Sequence, residues 1–386
     1  MWGNITEQRM AVNNNSIGIY LHIPFCIKKC NYCDFCSFPD SSGELMGAYA
    51  YELARRIRDF ARENGKRRAD TVYFGGGTPT LMPIECFEKI FSALNDSFLI
   101  SDGAEITVEC NPASIDRKGL CDLRALGVNR LSIGLQSADD KELSMLGRAH
   151  SFEGFCNTFN DARSAGFDNI SVDVMYGLPS QTREGFQKTL DAIIALSPEH
   201  ISAYGLKIEE GTAFFFNRES LDLPDDDAQA ELYTLCYDKL KANGYQRYEI
   251  SNFSKPKRES RHNLKYWQLC DYVGFGVAAY SCFEGERYGN SRDIKAFIRG
   301  FDICEERAEI SNDERMAEYV MLGLRLECGI DTDEFKRAWR LDFHKAYPSV
   351  GEYIKQGFMK ITENRVSFTT KGFLVSNVIL SEMLSF

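Results

Sequence analysis

The chain has 386 residues and a formal charge of −11, from 45 Lys plus Arg against 56 Asp plus Glu. This acidic balance leaves no basic field to release phosphate counterions, which excludes a general nucleic-acid binder; no apolar run approaches the ~18 residues of an integral membrane segment. Hydrophobic residues at 44% and charged residues at 26% describe a soluble globular chain, long enough for two or three domains and for folding without disulfides.

Residues 1–16 are polar and Asn-rich, without the charged and apolar regions of a signal peptide, and read as an N-terminal tail of a cytoplasmic protein. From residue 17, β-branched and aromatic runs alternate with helical patterns. Strands are predicted over 17–23, 71–74, 105–109, 129–135, 169–175 and 200–206, and helices over 44–64, 84–96, 116–126, 139–146, 152–165 and 183–196. In the first helix Leu45, Tyr49, Leu53 and Ile57 recur every fourth residue, one apolar face. Six βα repeats imply parallel strands with crossover helices: an α/β fold, a partial (β/α)6 TIM-type barrel over 17–240. Residues 241–305 read as a connecting region containing a Gly-rich strand-turn at 272–279. Residues 306–386 read as a smaller α+β domain, with helices over 315–326 and 332–339, a hairpin over 359–362 and 365–368, and a final helix from 370. That order is winged-helix-like, but without a basic face the unit is expected to bind protein or cover the cavity rather than bind DNA.

Thirteen cysteines in a reducing compartment are expected to be core thiols, ligands or catalysts. Nine of them (86, 110, 121, 156, 236, 270, 282, 304 and 328) stand apart and read as buried thiols. Cys26, Cys30, Cys33 and Cys36 crowd into eleven residues and read as a metal site. A four-cysteine zinc site, a four-cysteine iron–sulfur site and a three-cysteine site with one open iron remain alternatives; the spacing leans to iron–sulfur. Polar residues also gather just past the strands, where a β/α barrel builds its active site: the Gly75–Thr78 turn, Glu109, Gln136, Asp173 and Tyr204. His22, within the cysteine loop, is expected to be structural.

The run Cys26-x3-Cys30-x2-Cys33, with Tyr32 before its last cysteine, resembles the signature of the radical S-adenosylmethionine (SAM) superfamily. The resemblance implies a [4Fe–4S] cluster on Cys26, Cys30 and Cys33, with SAM on the fourth iron and an electron donor as partner. Three soft thiolates leave one site open for that purpose. The stretches 20–26, 74–80, 131–137, 146–150 and 173–179 are similar to the oxygen-independent coproporphyrinogen III oxidase group. Those at 201–211, 248–252, 261–267 and 271–276 resemble its heme-chaperone branch. Carried over, SAM contacts fall on Tyr20, Tyr32, Gly76, Gly77, Thr78, Glu109, Gln136, Arg148 and Asp173. Heme as cargo falls on His262, Asn263, Tyr266 and Trp267, His262 as a candidate axial ligand.

Two departures weigh against decarboxylation. Phe35 stands where the oxidase has a further cysteine, leaving Cys36 one residue late and a bystander, and only 16 residues precede the first strand. The resemblance therefore implies a heme chaperone that passes heme to target hemoproteins, with no catalytic residue assigned. The alternatives are the oxidase itself and a binding protein whose cluster is structural.

Overall fold

The computed structural model describes residues 16–39, 43–112 and 114–384, so all of the expected tail except Ser16 lies outside the described residues. Chain order gives β1 (Ser16–Ile23), α1 (Glu44–Asn64), β2 (Arg67–Gly76), α2 (Ile84–Ser97), β3 (Phe98–Cys110), α3 (Arg117–Ala125), β4 (Arg130–Gln136), α4 (Asp140–Met145), α5 (Phe152–Ser164), β5 (Ile170–Tyr176), α6 (Arg183–Leu196) and β6 (His200–Gly205). Consecutive strands of β1 to β6 pair in parallel, each with the next. This is the six-repeat partial barrel that the alternation predicts. Side-chain caps start the helices where expected: Asp116, Asp139, Ser151 and Thr182 accept from backbone N–H groups of α3, α4, α5 and α6.

The sheet extends beyond β6. After α7 (Asp226–Ala242) come β7 (Gln246–Glu249), β8 (Asn252–Ser254), α8 (Arg261–Trp267), β9 (Tyr272–Phe275), β10 (Tyr280–Phe283), β11 (Glu286–Asn290) and β12 (Cys304–Glu309). The full order is β12-β11-β10-β9-β1-β2-β3-β4-β5-β6-β8-β7, an open sheet whose ends do not meet. The Gly-rich strand-turn therefore supplies a seventh parallel strand, β9, on the outer side of β1. Residues 246–290 thus build sheet rather than only connect. Four residues are too few for a periodic signal, and the partner strand lies far back in the chain.

The strands have two unlike faces. Ile17, Ile19, Leu21, Ile23, Val72, Phe74, Val108, Leu131, Ile133, Val172, Val174 and Ile201 turn to the helices and make one apolar core with them. The alternate positions turn inward and are polar: Tyr73, Glu109, Arg130, Ser132, Gln136, Asp173, Ser202 and Tyr204. A packed TIM barrel fills this interior with branched apolar side chains. Here it is left for chemistry.

The C-terminal unit has its own core, including Val320, Leu324, Phe335, Phe343, Val366 and Phe368. It comprises α9 (Asn312–Leu324), β13 (Ile330–Asp331), α10 (Thr332–Trp339), β14 (Met359–Thr362), β15 (Arg365–Phe368) and α11 (Ser376–Leu384). β13, β15 and β14 form a three-stranded antiparallel sheet. Arg247 of β7 ties it to the barrel: its guanidinium pairs with Glu327 at 2.6 Å and lies 3.9 Å from the Phe373 ring centre. No helix among the described residues is long and apolar enough to cross a membrane.

Candidate cofactor site

β1 runs straight into the cysteine loop. Phe25–Cys26 pairs in parallel with Phe38–Pro39 and so closes the loop at its base. His22 braces it from within: Nε2 donates to the Cys36 carbonyl at 2.9 Å, leaving Nδ1 to accept from the Tyr20 hydroxyl at 3.0 Å. Burial lowers the His22 pKa, consistent with this neutral, structural role. Asn31 anchors the middle of the loop, its side chain donating to the Met145 carbonyl at 2.8 Å and its N–H to the Leu146 carbonyl at 3.0 Å.

Cys26, Cys30 and Cys33 are free thiols lining a cavity of about 540 Å³, with Tyr32, Gly76, Gly77, Thr78, Glu109, Gln136, Arg148 and Asp173 on its other walls. Cys26 Sγ is 3.6 Å from Thr78 Oγ1, and Arg148 Nη1 is 3.6 Å from Cys30 Sγ. Cys36 is 6% exposed, part of the apolar core. Phe35 is 67% exposed and lines the cavity in its stead. Tyr20 does not line the cavity but lies behind it, supporting His22.

The glycine turn after β2 is fitted against this loop. Gly77 N–H donates to the Ile23 carbonyl at 2.8 Å and Thr78 N–H to the Phe25 carbonyl at 2.7 Å. Gly76 has φ +110°, and a Cβ there would lie 2.5 Å from the His22 ring. Both conditions require glycine. Gly76 N–H donates to Glu109 at 3.1 Å, and the Tyr73 hydroxyl donates to the same carboxylate at 2.9 Å.

Burial pushes the Glu109 carboxyl up to about 7, against the two hydrogen bonds that favour its anion, and the negative charge of Asp173 raises it further. Asp173 is also raised by burial while accepting from Ser132 at 3.1 Å. Gln136 has φ +73°, a strained conformation for a non-glycine residue, at the point where the β4–β5 register shifts. Arg148 donates from Nη2 to the Gly134 carbonyl at 2.8 Å.

A pH dependence follows. A carboxyl whose folded pKa lies above its unfolded value contributes stability that is full below the unfolded pKa and lost as pH rises through the folded one. Glu109 and the buried Glu249, also pushed up to about 7 by burial, both have this sign. The ligand-free chain should melt at a lower temperature at pH 8 than at pH 6, and Glu109→Gln should remove part of that slope. A slope unchanged in thermal scans of the variant would contradict the burial-driven shift.

The heme-directed block is divided. α8 is held at its N-terminus by Glu105, which accepts from the Arg261 and His262 N–H groups at 3.1 and 3.0 Å. His262 is 1% exposed; Nδ1 bonds Thr71 Oγ1 at 2.8 Å and Nε2 bonds the Tyr266 hydroxyl at 2.7 Å. Both ring nitrogens are thus engaged, and an axial imidazole would require one of these bonds to open. Trp267 packs beside Tyr248, Leu264 and Leu326, so Asn263 is the residue of the four that faces the cavity. Arg130, Ser132, Ser202 and Tyr204 line the cavity as well. Of these Tyr204 stands out in the sequence at a strand end, Ser132 and Ser202 fall inside the matched stretches 131–137 and 201–211, and no motif marks Arg130. Counting by twos from Gln136 toward the start of β4 reaches Ser132 and Arg130, a signal that alternation carries.

A family model described as the radical SAM superfamily matches residues 20–193, and one described as the HemN C-terminal domain matches 310–375. The chain is 34% identical to heme chaperone HemW of Bacillus subtilis over 95% of this chain and 98% of that one. It is 32% identical to heme chaperone HemW of Escherichia coli over 96% and 98%. It is 31% identical to mouse radical S-adenosyl methionine domain-containing protein 1, mitochondrial, over 95% and 87%. Among solved structures, the Escherichia coli coproporphyrinogen III oxidase HemN superposes with a TM-score of 0.82 over 97% of this chain and 92% of that one, at 23% identity, a likeness of fold. With the three free thiols on one cavity wall and this kinship running nearly end to end, the chain belongs to the radical SAM superfamily and, within it, to the HemW family.

Proposed function

We propose that this protein is a heme chaperone, cytoplasmic and reduced, that binds heme and passes it to hemoproteins while holding a [4Fe–4S] cluster and SAM. The observation that carries the reading is kinship with HemW proteins over nearly the full length, joined to Phe35 at the cavity wall where the oxidase has a cysteine.

The donor set fits the cluster. Cys26, Cys30 and Cys33 are soft, outside any disulfide and open to the cavity, and Cys36 is turned away, so three ligands and one open iron are the natural count. Among the described residues no three His, Cys, Asp or Glu side chains converge to hold a single ion; a cubane does not need that, since each thiolate meets a different iron. Gly76, Gly77 and Thr78 offer a bare backbone edge to SAM, and Glu109, Gln136, Arg148 and Asp173 offer polar partners, with Tyr32 beside them. A cluster held by Cys26, Cys30 and Cys33 would supply one-electron reduction of the sulfonium of SAM, which would call for an electron donor as a further partner.

Heme titration of the reconstituted chain tests the cargo, and incubation with SAM, reductant and coproporphyrinogen III tests the oxidase alternative. One-to-one heme binding without formation of protoporphyrinogen is the expected result; appreciable vinyl product would overturn the chaperone reading.

A further inference from the structure

Below the cofactor end of the cavity, the barrel floor carries a cation that the fold does not require. Arg130 is 2% exposed, among the largest fully buried side chains, and its Nε has no hydrogen-bond partner among the described residues. It stands in register with Thr107 on β3, which is in register with Tyr73 on β2. Thr107 Oγ1, next to it on the same inward face, is also buried and, among the described residues, unpartnered. A buried, incompletely bonded guanidinium is costly, and apolar replacements of such groups commonly stabilise a fold. Packing alone therefore does not account for an arginine here.

Its surroundings do account for it. The inward carboxylates Glu109 and Asp173 line the same cavity. They take hydrogen bonds from Tyr73, Gly76 and Ser132, and both feel the positive charge of Arg130 through space. The other titratable groups facing Glu109 are Tyr20 and Tyr266, and Asp173 also faces Arg148 and Tyr204. The floor histidines cannot supply this charge, because burial pushes His262 down to about 3 and His200 well below its ordinary value, so both are neutral. Two acids sharing one cavity repel each other's charge, and a cation beneath them offsets that repulsion.

We propose that Arg130 is a positioning residue of the cofactor site: its charge, carried to the barrel floor, holds Glu109 and Asp173 in their anionic forms for a cationic ligand. This rests on SAM, with its sulfonium and ammonium charges, being that ligand. Above the pH at which Glu109 ionises the cavity attracts SAM; below it the attraction weakens. Removing Arg130 moves that pH upward.

The test is SAM binding to the anaerobically reconstituted chain between pH 5.5 and 9, by equilibrium dialysis, for wild type, Arg130→Met, Arg130→Gln and Arg130→Lys. Wild-type affinity should rise through about pH 7. In Arg130→Met and Arg130→Gln the midpoint should move up by about one unit, with a roughly fivefold loss at about pH 7 that recovers above the new midpoint. Arg130→Lys should restore the wild-type midpoint. A loss equal at every pH, or an unmoved midpoint in the folded variants, would overturn the role of Arg130. Should Arg130→Met fail to fold, Arg130→Gln, which keeps polarity without charge, decides. A wild-type chain that binds no SAM at any pH would instead overturn the cofactor reading itself. In that event a carbon-13 titration of Glu109 in the ligand-free chain still decides whether Arg130 sets its ionisation.

Discussion

Alanine at any one of Cys26, Cys30 or Cys33 is expected to strip the reconstituted chain of essentially all its iron and sulfide, whereas Cys36→Ala keeps a full complement. The contrast follows from where the sulfurs point. Three thiols share the cavity wall, and an iron left without its thiolate exposes the cluster to solvent and oxidant. Cys36 is enclosed in the apolar core, and it is its carbonyl, not its sulfur, that accepts from His22. Its replacement should cost about 1 kcal/mol of packing and nothing in metal. Iron and sulfide analysis with the visible spectrum measures both effects. A full cluster in Cys33→Ala would overturn the ligand set, and a lost one in Cys36→Ala would make that thiol a fourth ligand.

Gly77→Ala is expected to have the second largest effect on cofactor loading without any change of charge or chemistry. A Cβ at residue 77 would lie 2.6 Å from the Phe25 carbonyl oxygen. That oxygen belongs to the backbone, accepts from Thr78 N–H, and begins the pair that closes the cysteine loop. It cannot swing aside as a side-chain end would, so Cys26 moves with it. The strain should cost about 1–3 kcal/mol, too little to unfold a domain of this size, yet displace one ligand relative to the other two. Gly47→Ala is the control: its Cβ meets nothing within 4 Å among the described residues, and alanine inside α1 should stabilise the helix by up to about 1 kcal/mol. Thermal melting together with iron content separates the two substitutions. Normal loading of Gly77→Ala would mean that the turn has slack that its close contacts do not suggest.

The barrel was legible because its signals are local. Ile17, Ile19, Leu21 and Ile23 alternate with inward residues within one strand, and the three cysteines lie within eight positions. The hairpin Met359–Thr362 and Arg365–Phe368 was readable for the same reason. What escaped is non-local. β9 becomes a strand by pairing with β1, and nothing in its four residues announces that partner. Arg130 reads as an ordinary strand-start cation until the sheet curls and closes it in. His262 has the chemistry of a ligand, but Thr71 and Tyr266, brought to it by folding, use both of its nitrogens. Side-chain type told what was possible at these positions; neighbours from distant segments decided what remained.

The parallel pairing of β9 with β1 also sets an order of events during synthesis. Gly18 meets Tyr272, a neighbour made about 250 residues later, so the strand that leads into the cysteine loop lacks one flank until most of the chain has emerged. At the pace of a ribosome, about 5–20 residues per second, this leaves the thiols on an unfinished support for at least ten seconds or so. A truncation that ends before Tyr272 is therefore expected to leave the cysteine loop without one flank of its supporting strand and to take up less iron on reconstitution than the full chain.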